Sequence, residues 1–406
     1  MNRLAVDDVR GAAGLAALRV EWEELFESVP RASPFLSPEW ALTWQELLAE
    51  RSTPRVLCTR RDGRLVGVLA LSEREHWAGL GRPVKRLAFL AEQDVGADGL
   101  DVLALPGFER DAASAILARL ASDSSVDVLD LDGLPGESPT LQLLAWHFGN
   151  DRRRSYTLAP SQVCPYLDLD GSWEEMLGRT KRPQQFGRLL RELGRRDGFE
   201  LRSATEPGMV GGALDRLFQL HDRRWAFQGG SDAFARQSVR EFHRRFVERI
   251  AARRMVRFEE LWVEGACRAS WYGFGRADRF WAYQSGYDPA WSKHSVAFVR
   301  LGISVQEAVG RGVRFYDFLR GPETYKFDWA SGARVTMRVV AVRSRRAARF
   351  FMTRRGLRLA TEQAAEAVLP ERSLEWMRRL RRARHRREPS ILTLPHKGGQ
   401  SSPEWA

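Results

Sequence analysis

Two dipeptides govern what this chain can fold into. Asp62-Gly63 lies between VLCTRR and RLVGVLALSERE, and Glu264-Gly265 lies between FEELWV and ACRASWYGFG. Apolar alternation on both sides of an acidic residue and a glycine is a hairpin signature, because a tight turn between strands needs positive φ at its centre. The surroundings repeat too. LRVEWEELFESV and PEWALTWQELLAE, the latter capped by Ser37, have helical spacing ahead of the first turn; the strand VKRLAFLA, the helix ERDAASAILARLASD and the buried strand VDVLDLDGL follow it. Around the second turn, after a strand GFELRSAT, come helices in LDRLFQLHDRRWAFQ and FARQSVREFHRRFVERIAARR. Beyond it lie the strand RFWAYQSGYDP, the helix VAFVRLGISVQEAVGRG and the strand RFYDFLRG. The same order met twice predicts two α/β halves, each a mixed sheet with one right-handed crossover.

The expected boundaries are residues 1–160 for the first half and 161–345 for the second. Residues 346–388 form a basic helical segment, and 389–406 a disordered tail. A helix pair broken at Pro183 joins the halves and carries Arg188, Arg191, Arg195 and Arg196. With 406 residues, 44% of them hydrophobic, the chain can build a core in each half. The net charge of +12 is concentrated: residues 343–388 hold 15 Arg and 5 Glu, leaving about +2 elsewhere. An Arg-rich amphipathic segment of this kind suits an anionic membrane surface, a protein partner or nucleic acid. The first residues lack an apolar signal region, the apolar runs are too short to span a bilayer, and Cys58, Cys164 and Cys267 have no metal-like spacing. A cytoplasmic protein without a metal is expected.

Three sets of residues carry chemistry. After RFWAYQSGYDP, the connection holding Ser292, Lys293 and His294 leads to a helix start capped by Ser295, where unpaired N–H groups suit a phosphate. The strand RFYDFLRG, with Asp317 among Phe315, Phe318 and Leu319, turns at Gly321-Pro322 into a short helix with Pro322 at its first position. Arg320, Glu323, Tyr325 and Lys326 then gather at the carboxyl end of a parallel strand, where open α/β sheets bind ligands. The third set is His221, Arg224 and Trp225 on neighbouring faces of one helix, which bears on function if that helix borders the same cleft. No Walker loop, zinc-protease motif or dinucleotide fingerprint occurs, and GFGRAD at 273–278 reads as a hairpin turn.

The pattern Tyr316 to Gly321, Glu323, Tyr325, Lys326 and Trp329, preceded by GYDPAWSKHSVAFVRLGISVQEAVGRG and LHDRRW, resembles the CelD-like acetyltransferases of the GNAT superfamily, found with cellulose and exopolysaccharide genes. The likeness covers residues 15–345 and is strongest over 165–330. That family is similar in architecture to the FemAB-like transferases, which also have two GNAT-like halves. The resemblance implies acyl transfer from acetyl-CoA or another acyl-CoA to a small-molecule or glycan-precursor amine or hydroxyl. The donor's pantetheine would pair with the strand bearing Trp281, Tyr283, Ser285 and Tyr287, and its pyrophosphate would meet Ser292, Lys293, His294 and Ser295. Tyr325 would act as acid and Asp317 or Glu323 as base, with a backbone N–H near Ser285 to Tyr287 stabilising the oxyanion. Arg320 and Lys326 would hold an anionic acceptor or pair with Glu323. The family's glycine-containing phosphate loop is replaced by DPAWSKHS, which leaves an aminoacyl-tRNA donor, and thus tRNA as partner, as the alternative. A third reading is a non-catalytic interaction module, and the basic segment would dock the protein at the inner membrane face.

Overall fold

The computed structural model describes residues 4–50, 52–76, 83–150, 155–227 and 233–343; the basic segment and the tail lie outside the described residues. Chain contacts divide it into two compact units, residues up to 162 together with the stretch from 335, and residues 163–334.

The first unit opens with β1 (Ala5–Arg10), α1 (Gly11–Ala17), α2 (Arg19–Glu27) and α3 (Pro38–Leu47). The Ser37 hydroxyl caps α3 by accepting from Trp40 N at 3.2 Å. There follow β2 (Thr53–Arg61), β3 (Arg64–His76), β4 (Val84–Phe89), the short α4 (Glu92–Val95), β5 (Leu103–Ala104), α5 (Glu109–Ser122), β6 (Val128–Pro135), α6 (Pro139–Leu144) and β7 (Ser155–Asp168). Asp62 and Gly63 take φ of 50° and 82°, the left-handed pair that the β2–β3 turn requires. The strand order is β1-β2-β3-β4-β6, antiparallel except for β4 beside β6, with α5 as the crossover. Residues 336–342 close the sheet antiparallel to β6, so a segment distant in sequence completes this unit. Its core holds Trp22, Trp40, Trp44, Leu117 and Leu131, all buried.

The second unit contains α7 (Trp173–Arg179), α8 (Pro183–Gly194), β8 (Glu200–Ala204), α9 (Val210–Phe227), α10 (Gln237–Ala251), β9 (Val256–Val263), β10 (Ala266–Arg276), β11 (Arg279–Tyr287), α11 (Val296–Gly310), β12 (Phe315–Asp317), α12 (Thr324–Phe327) and the first residues of β13 (Gly332–Val342). Its strands run β8-β9-β10-β11-β12-β7, antiparallel except for β11 beside β12, with α11 as the crossover. The order matches the first unit strand for strand, and the expected mixed α/β repeat is present. Glu264 and Gly265, at φ of 53° and 70°, make the second hairpin turn.

Three local expectations differ from the structure. The strand over RFYDFLRG is confined to Phe315–Asp317, because the Asp317 carboxylate accepts from Leu319 N at 2.9 Å and Leu319 turns left-handed at φ 56°. The helix of the TYKF segment begins at Thr324 rather than Pro322, with Glu323 at its N-cap position. Ser295 stands at the N-cap of α11 but at φ 49°, and its side chain makes no capping bond.

Helix α11 packs across the core through Gly302. A Cβ there would lie 2.2 Å from a ring carbon of Phe186 and 2.8 Å from Trp329, both buried. The ring crowding outweighs the helix propensity that alanine gains, so Gly302→Ala is expected to destabilise the second unit by about 1–3 kcal/mol in urea unfolding. Unchanged or increased stability would show that the rings can yield.

Candidate functional site

The site begins where two strands part. β11 is paired with β10 along its whole length, from Arg279 opposite Arg276 to Tyr287 opposite Ala269. With β12 it is paired only at Arg279–Phe315, Phe280–Tyr316 and Trp281–Asp317. Past Asp317 the chain stays with β7, where Phe318 N and Gly321 N donate to the carbonyls of Pro165 and Val163, each at 3.0 Å. From Ala282 to Tyr287, β11 therefore has no strand paired along its second side among the described residues. At the parting point β11 carries a bulge: Tyr272 pairs with Gln284 and Gly273 with Ala282, so Tyr283 is the extra residue. β4 has no such edge. It pairs with β6 through Ala88, and only Phe89 remains beyond.

Tyr325 comes to this edge from α12. It packs against the core with its ring 6.2 Å from Trp271, whose partner across the β10–β11 pair is Ser285. Burial raises the Tyr325 phenol above its ordinary pKa, opposed by the charges of Lys326 and Arg224 and by the Ser285 hydroxyl. Its proton stays on at neutral pH. Lys326 is buried; its ammonium donates to the Arg320 carbonyl at 2.7 Å and lies 3.0 Å from the exposed Glu323 carboxylate. The ion pair between Lys326 and Glu323 is thus formed.

Asp317 is buried and engaged, by Leu319 N and by the guanidinium of Arg334. Asp130 holds the matching place in the first unit and is likewise buried, here between two arginines, Arg86 at 2.6 Å and Arg338 at 2.8 Å. Burial would raise the Asp130 pKa, but those two guanidinium groups hold it below the usual carboxylate range. Nothing in a spacing of 17 residues from Asp317 marks Arg334 in the sequence as its ion-pair partner.

Helix α9 borders the same strand. A Cβ at Gly286 would meet His221 N at 2.8 Å, so only glycine lets β11 approach α9 this closely. Arg224 lies over the Tyr287 ring at 5.1 Å, and His221 is buried against Phe234 at 4.9 Å; the Trp225 side chain lies outside the described residues. Beyond Tyr287, Asp288 accepts from Ala290 N at 3.1 Å and from Arg268 at 2.9 Å, which starts a 3-10 turn over Pro289–His294. Ser292 and Lys293 are exposed on it, and His294 lies 3.3 Å from Arg196. The turn leads into the 15-residue α11, whose first N–H groups have no partner within the helix. Among the described residues no group of three His, Cys, Asp or Glu is placed to hold a metal, and no helix is long and apolar enough to cross a membrane.

Residues 180–327 match the family model described as an acetyltransferase (GNAT) domain. The fold is tandem GNAT-like. Among solved structures, FemX superposes with a TM-score of 0.55 at 11% identity, covering 79% of this chain and 94% of its own. L-PGS from Bacillus licheniformis gives 0.52 at 11% identity, covering 91% of this chain and 97% of that one. No curated protein matches the sequence. At this identity the likeness concerns the fold, and the GNAT domain lies over the unit with the parted strands.

Burial pushes the pKa of His221 down to about 4 and that of His243 down to about 3, so both are neutral in the folded protein at pH 7. The unfolded chain takes up these protons below about pH 6.5. Stability is therefore full above that pH and declines as the pH falls toward 4. The thermal midpoint should drop over this window, and His243→Gln should flatten the slope; an unaltered slope would place His243 in water.

Proposed function

We propose that the second unit transfers an acyl group, acetyl being the simplest, from an acyl-CoA donor to an amine or hydroxyl. The observation that carries this reading is the bulged stretch of β11 beside Tyr325, which past Trp281 has no second strand among the described residues. Amide groups of the donor's pantetheine would complete that edge as an added strand, with the thioester beside Ser285 to Tyr287 and the phosphates toward the turn bearing Ser292, Lys293 and His294. The acceptor attacks the thioester carbon, and a backbone N–H of the bulged strand stabilises the oxyanion. As the carbon–sulfur bond breaks, Tyr325 gives its proton to the thiolate. Glu323, exposed and paired with Lys326, takes the acceptor's proton through water. Asp317 is assigned a holding role on the strength of its bonds to Arg334 and Leu319 and of the arginine-bound Asp130 at the matching place. Arg224, over the Tyr287 ring and with its charge felt at Tyr325, would steer an anionic acceptor.

The setting we propose is envelope or exopolysaccharide metabolism of the CelD-like type, with a glycan precursor as acceptor and the basic segment holding the protein at a membrane surface. One observation favours a second donor: the connection before α11 is a 3-10 turn without glycine, ending at a left-handed Ser295. An aminoacyl-tRNA would place less demand on that turn than a CoA pyrophosphate does.

Calorimetry with acetyl-CoA, and thiol release from it with a panel of amine and sugar acceptors, separates these readings. Tyr325→Phe should lower kcat by about 10²–10⁴-fold with little change in donor affinity, whereas Asp317→Asn should lower the thermal midpoint. Full turnover by Tyr325→Phe would remove the tyrosine from the mechanism. Absence of acetyl-CoA binding together with salt-dependent tRNA binding would favour the second donor.

A further inference from the structure

The bulge that shapes the β11 edge is held from behind. Tyr283, the extra residue, has its ring 5.4 Å from His243, 5.4 Å from Tyr272 and 5.5 Å from Phe274. Tyr272, Phe274 and His243 are all fully buried. His243 on α10 lies 3.4 Å from the Tyr272 hydroxyl and packs edge-on against Phe234 at 5.2 Å and Phe242 at 5.3 Å. Between Tyr272 and Phe274 sits Gly273, where a Cβ would lie 2.7 Å from the Trp281 carbonyl oxygen and 2.4 Å from the Phe280 ring. The backbone of β11 is thus pressed onto Gly273 at its last residue paired with β12. Two residues later it is pinned by the Tyr283 ring.

A bulge is free to migrate along a strand when neighbouring side chains are interchangeable, because moving it by one residue costs only local rearrangement. Here they are not interchangeable. Ala282 has no ring to fill the cluster, and Gln284 would bring an amide among buried aromatic rings.

We infer that Tyr283 is a positioning residue: with Gly273 opposite, its ring fixes the bulge so that Ala282 to Tyr287 keep the register in which their open edge accepts the donor. This rests on the acyl-transfer reading for its consequence, though not for its geometry. Tyr283 would then serve the donor through the backbone it holds and not by touching it.

The test uses the full chain with Tyr283→Phe, Tyr283→Leu and Gly273→Ala, read by acetyl-CoA calorimetry and by amide hydrogen exchange of the ligand-free protein. Tyr283→Phe should bind within about twofold of the parent. Tyr283→Leu and Gly273→Ala should weaken binding at least tenfold and alter exchange within 282–287 while leaving β9 exchange and the circular dichroism as in the parent. Parent-like exchange in Tyr283→Leu would overturn the inference, as would parent-like donor binding. If the parent protein itself binds no acetyl-CoA, the donor assignment fails, and the exchange comparison alone still decides whether Tyr283 fixes the bulge.

Discussion

The second unit depends on how its one parallel strand pair is brought to an end. The Asp317 carboxylate, held by Arg334, takes the Leu319 amide and turns the chain left-handed, so β12 stops after three residues. Were β12 to continue, it would satisfy the backbone of β11 and leave nothing for a ligand to pair with. A buried carboxylate is tolerated here because a guanidinium and a backbone donor meet it; removing either would leave a charge in the core at a cost of a few kcal/mol. The parted strands, the bulge and the arrival of Tyr325 from α12 follow from that termination.

The first unit shows what the same scaffold does without the parting. It has the same strand order, the same parallel pair and a buried aspartate at the matching place, clamped by Arg86 and Arg338. β4 ends almost as soon as its pairing with β6 ends, so it offers no free edge. An arginine-bound aspartate is therefore part of the scaffold in both units. The longer β11, with its bulge, is particular to the second.

Much of the fold could be read from the sequence because its signals are local. Asp62-Gly63, Glu264-Gly265, Ser37 and Pro183 each act within a few residues, and the turns, the cap and the helix start lie where expected. The pairing of Glu323 with Lys326 was within reach because it is an i,i+3 contact. What escaped is nonlocal. β1 and β13 are ordered by partners far along the chain, Asp8 with Arg55 and Asp130 with Arg338. β7 reads SYTLAPSQVCPYLD, whose two prolines interrupt any alternation, and its place is set by β12. The early end of β12 and the left-handed Ser295 arise from side-chain and backbone contacts that periodicity does not encode.

On the proposed acyl-transfer reading, the edge of β11 past Trp281 takes the donor as an added strand. Amide hydrogen exchange of the unmodified protein with and without saturating acetyl-CoA tests it most directly. New protection should appear within 282–287 and at the start of α11, with none in β4 of the first unit. Saturating donor that leaves the 282–287 amides unchanged would contradict the account.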